Sequence, residues 1–146
     1  MSDTTLAALG SSVIVGPEND EELIPALGNG SSIPGDLVSI ATATGRLVGA
    51  DIGASELFVG ILMEHPVLGT ETAITADLVC TVVRPRSGHR YRIRCLDLNA
   101  DTELGSPLDI SATAGKADAA ADGNNAMCNV SLPNADNDTI VEVWWN

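Results

Sequence analysis

The segment Gly35–Met63 constrains the fold most strongly, because it alternates short runs of β-prone residues with glycines. Two such runs, 36–41 and 46–51, flank a turn, and a third apolar run follows them. Val38 and Ile40 fall on one side of the first run, as the two-residue period of a strand requires. Glycines favour turns and strand bends, and each would weaken a helix interior by about 1 kcal/mol. The segment therefore predicts a hairpin followed by a third strand.

The same signals recur along the rest of the chain. Two β-prone runs, 78–83 and 90–96, flank a turn with Pro85 and Gly88, which predicts a second hairpin. The last run, Thr139–Trp145, predicts a closing strand. Further strands are predicted at 108–113 and 126–132, on either side of a loop. Since 146 residues fit one domain, we expect an all-β fold, a small single-domain β-barrel or β-sandwich.

The first 34 residues lack sustained periodicity and are rich in glycine and proline. Only Ser12–Val15 resembles a strand. We therefore expect an extended N-terminal arm at residues 1–34 and a β-barrel domain at residues 35–146. The sequence leaves two interpretations of the arm open: a strap that orders on a partner, or a mobile terminus.

The chain is strongly acidic, with 20 acidic and seven basic residues and a net charge of −13. Lys116 is the single lysine. This composition is typical of proteins that work in very high salt, although an ordinary acidic protein is the alternative. The charge argues against nucleic acid and against an anionic membrane as partners. Without a signal peptide or a long apolar run, we expect synthesis as a soluble cytoplasmic protein.

Most of the basic residues lie together in the second predicted hairpin. Eleven positions hold five of the seven: Arg84, Arg86, Arg90, Arg92 and Arg94. Subtracting their five charges from −13 leaves −18 for the rest of the chain. The last three share one face of a strand. They form either an exposed face balanced by nearby acids or a docking stripe for an acidic surface, on a neighbouring copy or a larger assembly. In the docking case, replacing these three is expected to weaken assembly and leave the monomer folded.

The predicted closing strand holds two adjacent tryptophans, Trp144 and Trp145. Successive strand residues point to opposite faces, so one indole can enter the core while the other lies at an interface. We take Trp145 as the candidate contact residue beside the five arginines.

Signals for chemistry are weak. The two histidines, His65 and His89, lie in predicted loops, where we expect them to face solvent. Cys80, Cys95 and Cys128 lack metal-ligand spacing and are expected to be buried free thiols. The calcium-like spacing that begins at Asp97 lacks the glycine and glutamate of a binding loop. We therefore expect no enzyme activity, no catalytic residues, no cofactor and no metal.

One stretch of sequence resembles a known family. Residues 35–62 read G-D-L-V, then G-R-L-V-x-A-D, then F-V-G-I-L, and the chain closes with D-T-I-V-E-V. This pattern resembles the decoration, or capsid-stabilising, proteins of tailed-virus heads. In that family an early strand pair precedes a strand of the form F-x-G-V-L.

The resemblance implies a compact, non-enzymatic β-barrel on the outside of an icosahedral capsid. Its partner would be the lattice of the major capsid protein, and it would be a homo-oligomer, with a trimer favoured. The arm would be a strap along the shell, and the protein would reach the virion surface after synthesis in the host cytoplasm. The acidic, lysine-poor composition fits a virus of a halophilic archaeon.

A binding module is the alternative function. The chain would then be a receptor- or glycan-binding part of a capsid turret, fibre or tail. Such a module needs a concave patch with exposed aromatic side chains, and the whole chain has four aromatic residues.

Overall fold

The computed structural model describes residues 13–16, 21–50, 59–96, 104–111, 113–119, 126–132 and 140–146. These residues form eleven strands and no helix. The strands are β1 (Ile14–Gly16), β2 (Glu22–Leu27), β3 (Leu37–Ile40), β4 (Leu47–Gly49), β5 (Gly60–Leu62), β6 (Val79–Arg84), β7 (Arg90–Arg94), β8 (Pro107–Ile110), β9 (Ala117–Ala119), β10 (Cys128–Leu132) and β11 (Ile140–Trp145).

The strands form two packed sheets. The six-stranded sheet has the order β1-β7-β11-β10-β8-β9, and the five-stranded sheet has the order β2-β6-β5-β3-β4. Neighbouring strands are antiparallel throughout both sheets. Each sheet also curls, because parallel bridges join Leu27 to Arg46 and Cys95 to Ala117. The predicted all-β fold is confirmed, in its sandwich form.

Two clusters of buried residues hold the sandwich together. The larger lies between the sheets and contains Leu37, Ile61 and Val83 from the five-stranded sheet. Their chain neighbours Val38, Leu62 and Val82 belong to a second cluster on the other side of that sheet. Because successive strand residues point to opposite faces, β3, β5 and β6 are buried on both sides. This explains why these strands read as continuous apolar runs.

The first predicted hairpin and the strand after it are confirmed. β3 pairs with β4, and β5 pairs with the other edge of β3. Gly60, inside the F-V-G-I-L sequence, lies close to β6: a Cβ added to it would sit 2.2 Å from the carbonyl oxygen of Val83. A glycine is therefore needed at this point for the two strands to approach.

The second predicted hairpin is wrong, because β6 and β7 belong to different sheets. β6 pairs with β2 and β5, while β7 pairs with β1 and β11. The short turn between them crosses from one sheet to the other. In this turn the Arg86 backbone N–H donates to the Tyr91 hydroxyl at 3.0 Å rather than to a strand partner. The arginine-rich segment is thus a corner of the sandwich.

The described part of the N-terminal segment belongs to the two sheets. β1 pairs with β7, β2 pairs with β6 over its whole length, and Val13 is fully buried in the larger cluster. The expected boundary at residue 34 therefore does not separate these strands from the rest. Residues 1–12 and 17–20 of the expected arm lie outside the described residues, as does the calcium-like sequence at 97–101.

Candidate contact surface

The five arginines differ in burial and in partners, so they do not form one continuous exposed stripe. Arg94, at the end of β7, has a side chain only 12% exposed. Its guanidinium donates from Nε to the Pro34 carbonyl at 2.8 Å and from Nη2 to the Thr70 carbonyl at 3.0 Å. Nη2 also lies 3.1 Å from Glu71 Oε2. Arg94 therefore ties the two sheets together, and removing it would destabilise the monomer, contrary to the expectation for the triple replacement.

Three of the arginines remain accessible at the corner. The side chains of Arg84 and Arg90 are 55% and 46% exposed, and Arg86 is exposed in the turn. Arg84 meets Glu22 Oε1 at 3.8 Å, and Arg90 meets Glu142 Oε1 at 3.4 Å. The Arg84–Glu22 pair is about half exposed on both sides, and such a pair contributes roughly 0–1 kcal/mol. Glu142 is only 8% exposed, so Arg90 also neutralises a buried carboxylate. Arg84 and Arg86 can therefore turn to a partner at little cost, while Arg90 offers a partner the part of its guanidinium that faces away from Glu142.

Arg92 lies between these extremes. It is half-buried, on the same face of β7 as Arg90, and its backbone N–H donates to the Val13 carbonyl at 2.8 Å.

The two tryptophans point to opposite faces, as expected, but Trp145 is the inward one. Its ring packs against the main core and meets Tyr91 edge to face, with centroids 6.2 Å apart. Trp144 is 39% exposed on the outer face of the six-stranded sheet. The tryptophan available to a partner is therefore Trp144, not the predicted Trp145.

The outer face of the six-stranded sheet carries charges of opposite sign on its two flanks. The strand register aligns Arg90 on β7 with Trp144 on β11, Asn129 on β10 and Pro107 on β8. The acidic flank holds Asp109 of β8 directly opposite Asp118 of β9. Sequence reasoning missed this arrangement, since it depends on which strands pair.

A buried polar cluster joins the sheets beside the corner. The Glu21 side chain, 3% exposed, accepts from the Tyr91 hydroxyl at 2.8 Å and contacts His89 Nδ1. Burial, with Glu21 alongside, raises the pKa of the Tyr91 hydroxyl. We expected His89 to face solvent, but its side chain is only 19% exposed. The cluster satisfies polar groups inside the sandwich and fixes the base of the arginine corner.

A second polar link uses the single lysine. Lys116 Nζ contacts Asp36 Oδ1, and Asp36 Oδ2 accepts from the Ile33 backbone N–H at 3.0 Å. Asp36 is 5% exposed. Burial raises the pKa of this carboxyl, while the Ile33 hydrogen bond and Lys116 oppose the rise. Asp36 precedes β3 and Lys116 precedes β9, so the pair joins the two sheets.

His65 is also held by its surroundings rather than free in solvent. Its Nδ1 accepts from the backbone N–H groups of Val67 and Leu68 at 3.1 and 3.2 Å, and Nε2 lies 3.2 Å from the Val79 carbonyl. Because Nδ1 accepts, Nε2 is the ring nitrogen that can donate to the Val79 carbonyl. The role of His65 is therefore to shape its loop.

The described residues contain no group of three or more His, Cys, Asp or Glu side chains that could hold a metal ion. Cys80, Cys95 and Cys128 are buried free thiols, as predicted. Burial raises the pKa of the Cys80 and Cys128 thiols, which makes them poor nucleophiles.

One concavity of the described residues is an open apolar cleft of about 210 Å³. It is lined by Pro25, Ala26, Leu27, Gly45 and Val79, none of which carries a titratable side chain. No helix among the described residues has the length and hydrophobicity needed to cross a bilayer.

Comparison with known proteins adds no assignment. No protein-family model matches the chain, and no curated protein sequence matches it either.

Proposed function

We propose that this chain is a non-enzymatic virion structural protein of a halophilic archaeal virus. It decorates the outer surface of an icosahedral capsid by binding the lattice of the major capsid protein, and so stabilises the shell. The observation that carries the proposal is the accessible arginine corner on an otherwise acidic β-sandwich. Arg84, Arg86 and Arg90 project there, while the rest of the chain is strongly negative.

The corner suits contact with an acidic protein surface in high salt. At 1 M salt, charges interact over only about 3 Å, so long-range attraction is lost and direct ion pairs remain. Arginine is favoured for such pairs because its planar guanidinium can bind a carboxylate through two hydrogen bonds. Each contact is weak, but a symmetric lattice repeats it many times.

The rigid base of the corner also supports a contact role. The turn is fixed by the Arg86–Tyr91 hydrogen bond and by the Glu21 cluster beneath it. The arginines therefore stand on an ordered backbone, so the corner loses less conformational entropy when a partner binds. The N-terminal strap and a trimeric state enter the proposal through the family resemblance.

The test is co-sedimentation with heads of the virus that encodes the chain, prepared without this protein, in multimolar NaCl. We expect saturable binding at a fixed ratio to the capsid subunit and better survival of the heads on dilution. Arg86→Gln should weaken binding by about tenfold. Arg46→Gln is the matched control, since Arg46 is also about half exposed and pairs with Asp77, outside the arginine corner.

Two results would count against this proposal. A protein that stays in the supernatant is not a decoration protein. Equal loss of binding in the Arg46 and Arg86 variants would mean that overall charge, not the corner, drives the contact.

The alternative, a glycan- or receptor-binding module, finds less support. Its binding site would be a concave patch with aromatic walls. The described cleft is lined by aliphatic residues and glycine, and Trp144 lies on an outer sheet face rather than in that cleft.

A further inference from the structure

The acidic flank of the six-stranded sheet contains an unfavourable pair of like charges. Asp109 and Asp118 are direct cross-strand partners, and like charges in that position destabilise a sheet. Within the described residues, each carboxylate accepts one hydrogen bond, from the next backbone N–H, Ile110 and Ala119 respectively, both at 2.8 Å. Among the described residues no cation forms an ion pair with either. A positive group from outside the chain would relieve this repulsion.

The basic flank of the same face offers such a group. Arg90 is 46% exposed, and its intrachain contact with Glu142 is 3.4 Å long. Arg86 is exposed in the adjoining turn. Between the two flanks, β11 and β10 present Trp144, 39% exposed, and Asn129. Exposed tryptophan and arginine are residue types enriched at protein interfaces.

Arg90 cannot reach the acidic flank within one copy. Adjacent strands lie roughly 4.8 Å apart, so β7 is about 14 Å from β8 measured through β11 and β10. The curl of the sheet brings β9 to β7 at the Cys95–Ala117 bridge, but Arg90 lies five residues, about 16 Å, along β7 from Cys95. One copy therefore presents a basic patch and an acidic patch separately, which is the arrangement that a contact between copies requires.

We propose that this face binds a second copy of the chain, with Arg90 and Arg86 of one copy against Asp109 and Asp118 of the next. Trp144 lies beside the contact and helps to exclude water from it. The inference rests on the homo-oligomer of the proposed function and names the surface that would form it. It is tested on the purified protein alone, whereas capsid binding is tested by co-sedimentation with heads, so its failure and the failure of capsid binding are distinguishable.

The experiment is sedimentation equilibrium in 1 M NaCl, where repulsion between two copies of net charge −13 is screened to about 3 Å. We expect the wild type to associate. R90E places an acid against the acidic patch, and D109R/D118R places arginines against the basic patch. Each variant alone should weaken association by about tenfold or more.

Mixing the two variants provides the decisive arm. In the mixture every R90E–D109R/D118R contact joins opposite charges, so association should return to within about threefold of the wild type. Recovery on mixing cannot come from misfolded protein. D109R/D118R keeps one like-charge pair across the strands, so its internal repulsion matches that of the wild type.

Control variants keep the test valid if R90E unfolds beside Glu142. R90Q removes the charge without creating a repulsive pair and should also lose association. R46E reverses an exposed charge on the five-stranded sheet and should associate normally. A monomeric wild type, association of R90E equal to the wild type, or no recovery on mixing would each overturn the inference.

Discussion

The two sheets of this protein differ in what their faces meet. The central strands of the five-stranded sheet are buried on both sides, with Ile61 and Leu62 of β5 in different core clusters. The six-stranded sheet has one buried face and, at the Trp144 end, one outer face with exposed charged side chains. The central strands of the five-stranded sheet therefore serve mainly to stabilise the fold, whereas the six-stranded sheet has an outer surface that can contact a partner.

The largest expected effect tests the link between the sheets. Lys116→Met leaves Asp36 buried without its cation, and losing one partner of a buried pair costs about 3–5 kcal/mol. Urea unfolding at pH 7 measures the loss. The control is D36N/K116M, which removes both charges and should be far closer to the wild type. A small loss in the single variant would mean that water reaches Asp36 and that the sheets are less tightly joined.

The same pair gives a pH dependence with a defined sign. Burial raises the pKa of Asp36 in the folded protein, so the folded state keeps this proton at pH values where the unfolded chain has lost it. The contribution of Asp36 to the free energy of unfolding therefore falls as pH rises from the unfolded pKa through the folded pKa. The difference in the free energy of unfolding between the wild type and D36N should show this slope above about pH 4. The slope should be steeper when both carry K116M, and an opposite slope would contradict the assignment.

A second prediction compares the faces directly. Ile61→Ala and Leu62→Ala should each cost about 2–5 kcal/mol, because both side chains are fully buried. On β11, Val143→Ala should cost about 2 kcal/mol, while Trp144→Tyr, which keeps an aromatic ring at a partly exposed site, should change stability by less than about 1 kcal/mol. Denaturant unfolding of the four variants checks the pattern. A Trp144 variant as unstable as the Val143 variant would show that the outer face is covered.

The smallest expected difference separates two arginines of one strand. Arg94→Gln removes donors from the Pro34 and Thr70 carbonyls and should cost about 1–3 kcal/mol. Arg90→Gln removes one long contact, 3.4 Å, to the buried Glu142 carboxylate and should cost about 1 kcal/mol, because the Ser131 hydroxyl still donates to Glu142 at 3.2 Å. Thermal unfolding of both variants in the same buffer gives the comparison. Equal losses would remove the distinction between a structural and an accessible arginine.

Local patterns were sufficient to predict the fold class and part of the sheet order. Glycine-bounded apolar runs predicted β3, β4 and β5, and the strand period placed the two tryptophans on opposite faces. The segment after residue 114 was expected to be a loop, but it contains the three-residue strand β9. Its alanines have low β-propensity, so the sequence gives no signal for a strand here. The strand forms because the fold places this segment beside β8.

The remaining errors arise from contacts between distant parts of the chain. A short turn with Pro85 and Gly88 has the same sequence signature whether its two strands pair with each other or enter different sheets. Which of the two forms depends on the other strands that pair with β6 and β7. Periodicity gives the parity of a strand but not which face is inside, so Trp145 was chosen in place of Trp144. Arg94 resembles Arg90 in sequence, and its burial depends on residues 34 and 70.

The most direct test of a decoration role is to count this chain in purified virions by quantitative mass spectrometry against the major capsid protein. A decoration protein on a symmetric shell should be present at a simple fixed ratio to that subunit, in many copies per particle. Absence from the virion, or a handful of copies confined to the tail, would contradict the account.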